Sequence, residues 1–172
     1  MREGRPLAAA DPVSARRGPA RDRGTVLAFD FGERRLGVAV GELELRLAHP
    51  LETVEAGSEG ERFAAIERLV REWAPVRFVV GLPLQLDGSE QPRSLRCRRF
   101  AQRLQARFGV PAELVDERLT SHSASLALAE AGVRGRQQKA VLDRVAAQHI
   151  LQGYFASLGE RSGEDGDAGG AA

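Results

Sequence analysis

The chain has 172 residues, one cysteine and a formal net charge of +1. That length suits one domain with a real core, and a single cysteine excludes an intrachain disulfide or a cysteine metal cluster. No apolar stretch reaches membrane-spanning length, and the near-neutral balance does not by itself announce nucleic acid.

Residues 1–23 read as a disordered basic arm, with Arg2, Arg5, Arg16, Arg17, Arg21 and Arg23 among Ala, Gly and Pro. Glu3, Asp11 and Asp22 make it a poor transit peptide, and it lacks the apolar core of a secretory signal, so a cytoplasmic location is expected. Residues 24–158 then form one compact unit. Strands are expected at 25–30, 35–41 and 48–54, close enough for a meander. The segment 59–73 is a helix, because Phe63, Ile66, Leu69, Val70 and Trp73 recur at helical spacing. A short buried strand follows at 77–81, then the turn-rich loop 85–90. A helix at 91–108 places Cys97, Ala101, Leu104 and Phe108 on one face, and Gly109-Val110-Pro111 stops it. The fifth strand is 112–115. A helix at 121–130, a basic loop at 132–136 and a last helix at 138–158 complete the unit, and 159–172 reads as a disordered acidic tail. The order βββαβαβαα predicts an α/β fold, a mixed five-stranded sheet flanked by helices.

Three acids stand out. Asp30 ends the apolar run Thr25-Val26-Leu27-Ala28-Phe29, where a carboxylate needs a cation or donors. It reads either as a turn cap or as part of a metal- or phosphate-handling site. Asp116 and Glu117 follow the fifth strand as Asp30 ends the first. Either residue can instead pair with Arg118 or cap the next helix beside Thr120 and Ser121. Asp143 shares a helical face with Ala147, Ile150 and Tyr154, so it looks inward, unless it pairs with Lys139 four residues earlier. Isolated acids from two strand ends and a helix form a ligand set that suits Mg²⁺ or Mn²⁺. Two such ions stabilise the attacking and leaving oxygens of a phosphodiester displacement.

Four segments together resemble the YqgF/RuvX family. They are Asp30-Phe31-Gly32-Glu33-Arg34-Arg35-Leu36-Gly37-Val38-Ala39, then Val79-Val80-Gly81-Leu82-Pro83-Leu84 with Asp87-Gly88-Ser89-Glu90, then Asp116-Glu117-Arg118-Leu119-Thr120-Ser121, and the helix from Asp143 to Leu151. Members are described as Holliday junction resolvase-like proteins and pre-16S rRNA nucleases. The resemblance spans residues 25–158 and implies an RNase H-like fold, with catalytic and metal-binding carboxylates at Asp30, Glu117 and Asp143. It implies a metal-dependent endonuclease acting in 5′-end maturation of pre-16S rRNA, with Holliday junction resolution as the alternative. Structured pre-rRNA or branched DNA would be the partner, with ribosomal particles a further one and no membrane.

Every basic residue except Lys139 is arginine, through coding bias or for phosphate contact. Arg34, Arg35, Arg118, Arg134, Arg136 and Lys139 lie near the acids in sequence and suit the scissile backbone. Arg93 opens the arginine-rich second helix, where Arg96, Arg99, Arg103 and Arg107 form a stripe. That stripe is a solvated face unless it shares a side with the acids, in which case it is a phosphate track. Aromatics are few, which favours phosphate and shape over base readout. His49, His122 and His149 have no mutual ligand spacing. His149 reads as a core residue, His122 as a minor candidate acid–base group, and Cys97 as a small core residue. Two further readings compete: an actin-like phosphotransferase or ATPase, for which the chain is short, and an inactive nucleic-acid-binding module, against which the intact acids argue.

Overall fold

The computed structural model describes residues 22–119 and 135–164. Strands β1 (Thr25–Phe31), β2 (Arg35–Glu42) and β3 (Ala48–Glu55) form an antiparallel meander. Helix α1 (Glu59–Trp73) leads to β4 (Arg77–Leu82), which lies parallel to β1. Helix α2 (Pro92–Phe108) leads to β5 (Ala112–Asp116), parallel to β4. A 3-10 turn at Glu117–Leu119 follows β5, and the long helix α3 (Arg136–Glu164) ends the described chain. The sheet order is β3-β2-β1-β4-β5. This is the mixed five-stranded sheet flanked by helices that the element order predicts.

The helix ends follow local chemistry. Ser58 caps α1 by accepting from the Glu61 backbone N–H at 3.2 Å. Pro92 starts α2 inside a Gln91/Ser94 capping box, and Gly109 ends it in the left-handed region at φ 65°. Alternation along each strand then sorts side chains between two layers. Leu27, Phe29, Leu36, Val38, Phe78 and Val80 meet α1 and α2 on one face, around a cluster in which Phe100 stands edge-on to Phe29. Val26, Ala28, Ala39 and Val79 face Ala147, Ile150, Leu151, Tyr154 and Phe155 of α3 on the other.

Several boundaries move. β1 continues to Phe31 and β5 to Asp116, one residue past the expected ends, because the ladder goes on pairing there. Helix α3 runs to Glu164, so residues 159–164 belong to it and not to a disordered tail. His149 is half-buried rather than a core residue, whereas Cys97 is fully buried as expected. The expected helix at 121–130, most of the basic loop, residues 1–21 of the arm and 165–172 of the tail lie outside the described residues. Among the described residues no helix is long and apolar enough to cross a membrane.

The α3 face is unusually bare. A Cβ at Gly37 would fall 1.9 Å from the Asp143 carbonyl oxygen, and one at Gly41 would fall 2.4 Å from the Leu47 carbonyl oxygen. Backbone cannot yield as a flexible side chain does, so α3 sits where it does because position 37 has no side chain. Gly37→Ala is expected to destabilise the fold at or above the upper end of the ~1–3 kcal/mol typical of overpacking. Denaturant melts check this: the midpoint should fall with little change in slope.

Candidate active site

Asp30 follows Ala28 on the α3 side of β1, so its carboxylate enters the space between sheet and helix. Both neighbours across the sheet lack side chains. Gly37 is its antiparallel partner on β2. On β4, one position beyond the Phe29–Val80 pair, stands Gly81. Two other groups fill the room these glycines leave. The backbone of α3 at Asp143 occupies the space over Gly37. The carboxylate of Glu117 folds back over Gly81, where an added Cβ would lie 2.3 Å from its Oε1 and 2.5 Å from Ile150 Cδ1.

Asp30 and Glu117 meet in a side-chain hydrogen bond. Burial pushes both carboxyls above the usual range. Arg93 opposes the rise in Asp30, and the Asp143 charge adds to it. Glu117 reaches about 7, through burial first and then the negative charge of Asp30. The two carboxyls titrate together, with burial opposing the charging of both. Arg93, on the first turn of α2, donates to the Phe31 carbonyl at 3.3 Å and places its guanidinium 3.9 Å from Asp30 Oδ1.

Asp143 is near enough for its charge to act on Asp30, but its Oδ2 accepts from Arg35 Nε at 2.7 Å. Its partner is thus Arg35 on β2 and not Lys139. Among the described residues no three acid, imidazole or thiol side chains already enclose one metal-sized point. The donor set still fits a hard cation. It offers carboxylate oxygens from three elements, and two of them lie hydrogen-bonded to each other in a buried space.

Asp116 takes the structural alternative. Its carboxylate accepts from Arg118 Nε at 2.9 Å and Nη2 at 2.6 Å, which holds it below the ordinary carboxylate range. Arg118 is therefore occupied, and it also donates to the Leu86 carbonyl at 3.4 Å. Arg96 pairs with Glu33. Arg34 and Lys139 are exposed. His122, Thr120, Ser121, Arg134 and the side chain of Arg136 lie outside the described residues. Cys97 is an inert thiol, pushed up to about 12 by burial. Gly37 and Gly81 escaped the sequence reading as site residues, although an isolated glycine inside a strand pattern signals close approach.

The family model for RuvX, described as Holliday junction resolvase, matches residues 24–157. A protein of Methylobacillus flagellatus named "Putative pre-16S rRNA nuclease" is 56% identical over 139 residues, which cover 81% of this chain and 95% of that protein. A protein of the same name from Nitrosospira multiformis is 61% identical over 132 residues, 77% of this chain and 87% of that protein. Among solved structures, T. thermophilus RuvC in complex with Holliday junction substrate aligns with a TM-score of 0.45 at 19% identity, covering 81% of this chain and 96% of that one.

The raised Glu117 carboxyl has a thermodynamic consequence. Glu117 titrates at about 7 in the fold against an ordinary 4.5, so the folded protein binds a proton there that the unfolded chain has lost. That contribution to stability is full below 4.5 and is lost as pH rises to about 7. In metal-free protein, Glu117→Gln should therefore gain in thermal midpoint relative to the wild type as pH climbs through this window. Parallel melts of the two proteins across that range check it.

Proposed function

The chain belongs to the RuvX family, and on that premise we propose that Asp30, Glu117 and Asp143 form the active site of a metal-dependent endonuclease that hydrolyses phosphodiester bonds. The observation that carries the reading is the Asp30–Glu117 pair: two buried carboxylates pressed together, with a third acid within electrostatic reach. Such crowding is unfavourable without a cation and is relieved by one.

Asp30 and Glu117 would hold Mg²⁺ or Mn²⁺, and Asp143 would join them by exchanging Arg35 for the ion. When bound, a hard cation supplies charge stabilisation at the reacting phosphate. The protein contributes the rest. Asp30 lies at the end of a central strand and Glu117 is wedged over Gly81, so the packing around them holds both carboxylates at one spot. Glu117 gives up its proton near neutral pH. Arg35, once released by Asp143, and Arg93 present guanidinium groups to an incoming phosphate. Arg34 and Lys139 extend that positive rim, while Arg118 first has to leave Asp116.

The substrate proposed is structured pre-16S rRNA, cut during maturation of its 5′ end, in the cytoplasm and on ribosomal precursor particles. Pre-16S rRNA as substrate rests on the names of relatives that share more than half of their residues with this chain over most of its length, and the 5′ end, the compartment and the particles rest on the resemblance of the sequence motifs to the family. The family description supports a second substrate, a four-way DNA junction.

A cleavage assay with matched pre-rRNA and four-way junction substrates separates the two. Cutting of the RNA is expected in Mg²⁺ or Mn²⁺ and none in chelator. Asp30→Asn, Glu117→Gln and Asp143→Asn should each lower the rate by roughly a hundredfold or more, the scale of losing one group that stabilises transition-state charge. Calorimetry should show weaker cation binding in all three. Undiminished cleavage in chelator, or by Asp30→Asn, would sink the mechanism.

A further inference from the structure

We propose that the arginine-lined cleft between α1 and α2 is a second nucleic-acid contact, gripping backbone phosphates several nucleotides away from the scissile bond. This deepens the nuclease reading and rests on it.

The cleft measures about 310 Å³ and is lined by Arg62, Arg96, Arg99 and Arg103 with Phe31, Phe100 and Glu59. It lies on the face of the sheet opposite α3, yet it adjoins the acids through the turn that follows Asp30. Arg62 forms that link. It is only 8% exposed, donates to the carbonyls of Gly32 and Glu33, and stacks its guanidinium 4.8 Å from the centre of the Phe31 ring. A guanidinium so deeply placed makes the cleft floor a fixed positive site rather than a set of mobile surface chains.

The charges around it are unbalanced. Arg96 pairs with Glu33 and Arg103 with Glu59. All four side chains are at least half exposed, so these pairs are weak in water and readily exchanged for phosphate. Arg99 has no ion pair among the described residues, and Arg62 is satisfied by carbonyls alone. Four guanidinium groups thus face two carboxylates, which fits a polyanion and not a neutral ligand.

Direction matters as well as charge. Arg93 stands beside Asp30, and Arg96, Arg99 and Arg103 follow on α2. From Arg93 to Arg103 the helix rises about 15 Å at ~1.5 Å per residue. That matches roughly four nucleotides at ~3.4 Å each along one strand. A strand whose scissile phosphate sits at the acids therefore reaches the cleft by turning over the Gly32–Glu33 corner.

The test measures binding and not cleavage. Fluorescence anisotropy at several salt concentrations would compare wild type, Arg99→Ala/Arg103→Ala, and a charge-matched control, Arg68→Ala/Arg71→Ala, on the far part of α1. The probes are a labelled stem-loop RNA with a single-stranded extension and a DNA of the same sequence. The cleft variant should bind both more weakly, with a log–log salt slope flattened by roughly 1.4 on single strands to 1.8 on duplex, two phosphate contacts' worth. The control should keep the wild-type slope. A wild-type slope in the cleft variant, an equal loss in the control, or a loss confined to one nucleic acid would overturn the proposal. Failure of the nuclease reading would show separately, as cleavage surviving Asp30→Asn.

Discussion

The close approach of α3 to a stretch of sheet without side chains sets the geometry on which the acids depend. Asp30 is flanked by Gly37 on β2 and Gly81 on β4, and each glycine gives its space to a different partner. Helix backbone fills the first and a carboxylate fills the second. With ordinary strand residues at either position, α3 would ride higher or Glu117 would swing out. Burial is what raises the two carboxyls, so their shifted titration follows from packing and not from any property of the acids alone. Ala28 and Ala39 keep the rest of this layer thin.

The opposite face is built differently. Phe29, Phe63, Phe78, Phe100 and Phe108 fill the layer under α1 and α2 with large rings in contact with one another. That side anchors β1 and β4, the central strands that carry Asp30 and Gly81. A rigid aromatic layer beneath and a thin, glycine-lined layer above let the sheet hold like charges together. Natural proteins commonly accept such local strain where function needs it and recover the stability elsewhere.

Arginine is used in two ways in this molecule. Arg35 and Arg118 neutralise Asp143 and Asp116 at close range, and Arg62 holds the turn after β1 by its carbonyls. Arg34 and Arg99 face solvent. The first kind organises acids and backbone; the second leaves positive charge for a partner. One residue type at similar sequence distances from the acids thus divides by what each side chain meets in the fold.

Much of this was legible in the chain itself. Periodicity placed α1 at its observed ends and located the five strands within a residue or two, because alternation and helical spacing are local properties of the backbone. The inward face of Asp143 followed from the same spacing, and the choice of the three acids proposed for the site came from the family resemblance. What the chain alone could not decide were pairings set by register between distant segments. Helical spacing turns Asp143 inward or pairs it with Lys139, but its partner is Arg35, 108 residues away. Spacing alone left both Asp116 and Glu117 open to pairing with Arg118, and the fold gives Arg118 to Asp116 at the end of β5 while Glu117, in the turn that follows, lies over Gly81. The arginine stripe of α2 could be judged only once the helix had a side of the sheet, because whether a positive face is solvated or built around a buried Arg62 depends on α1 packing beside it. Local spacing determined the elements and their faces; long-range packing decided which charges meet, because only the folded sheet brings those positions within hydrogen-bonding distance.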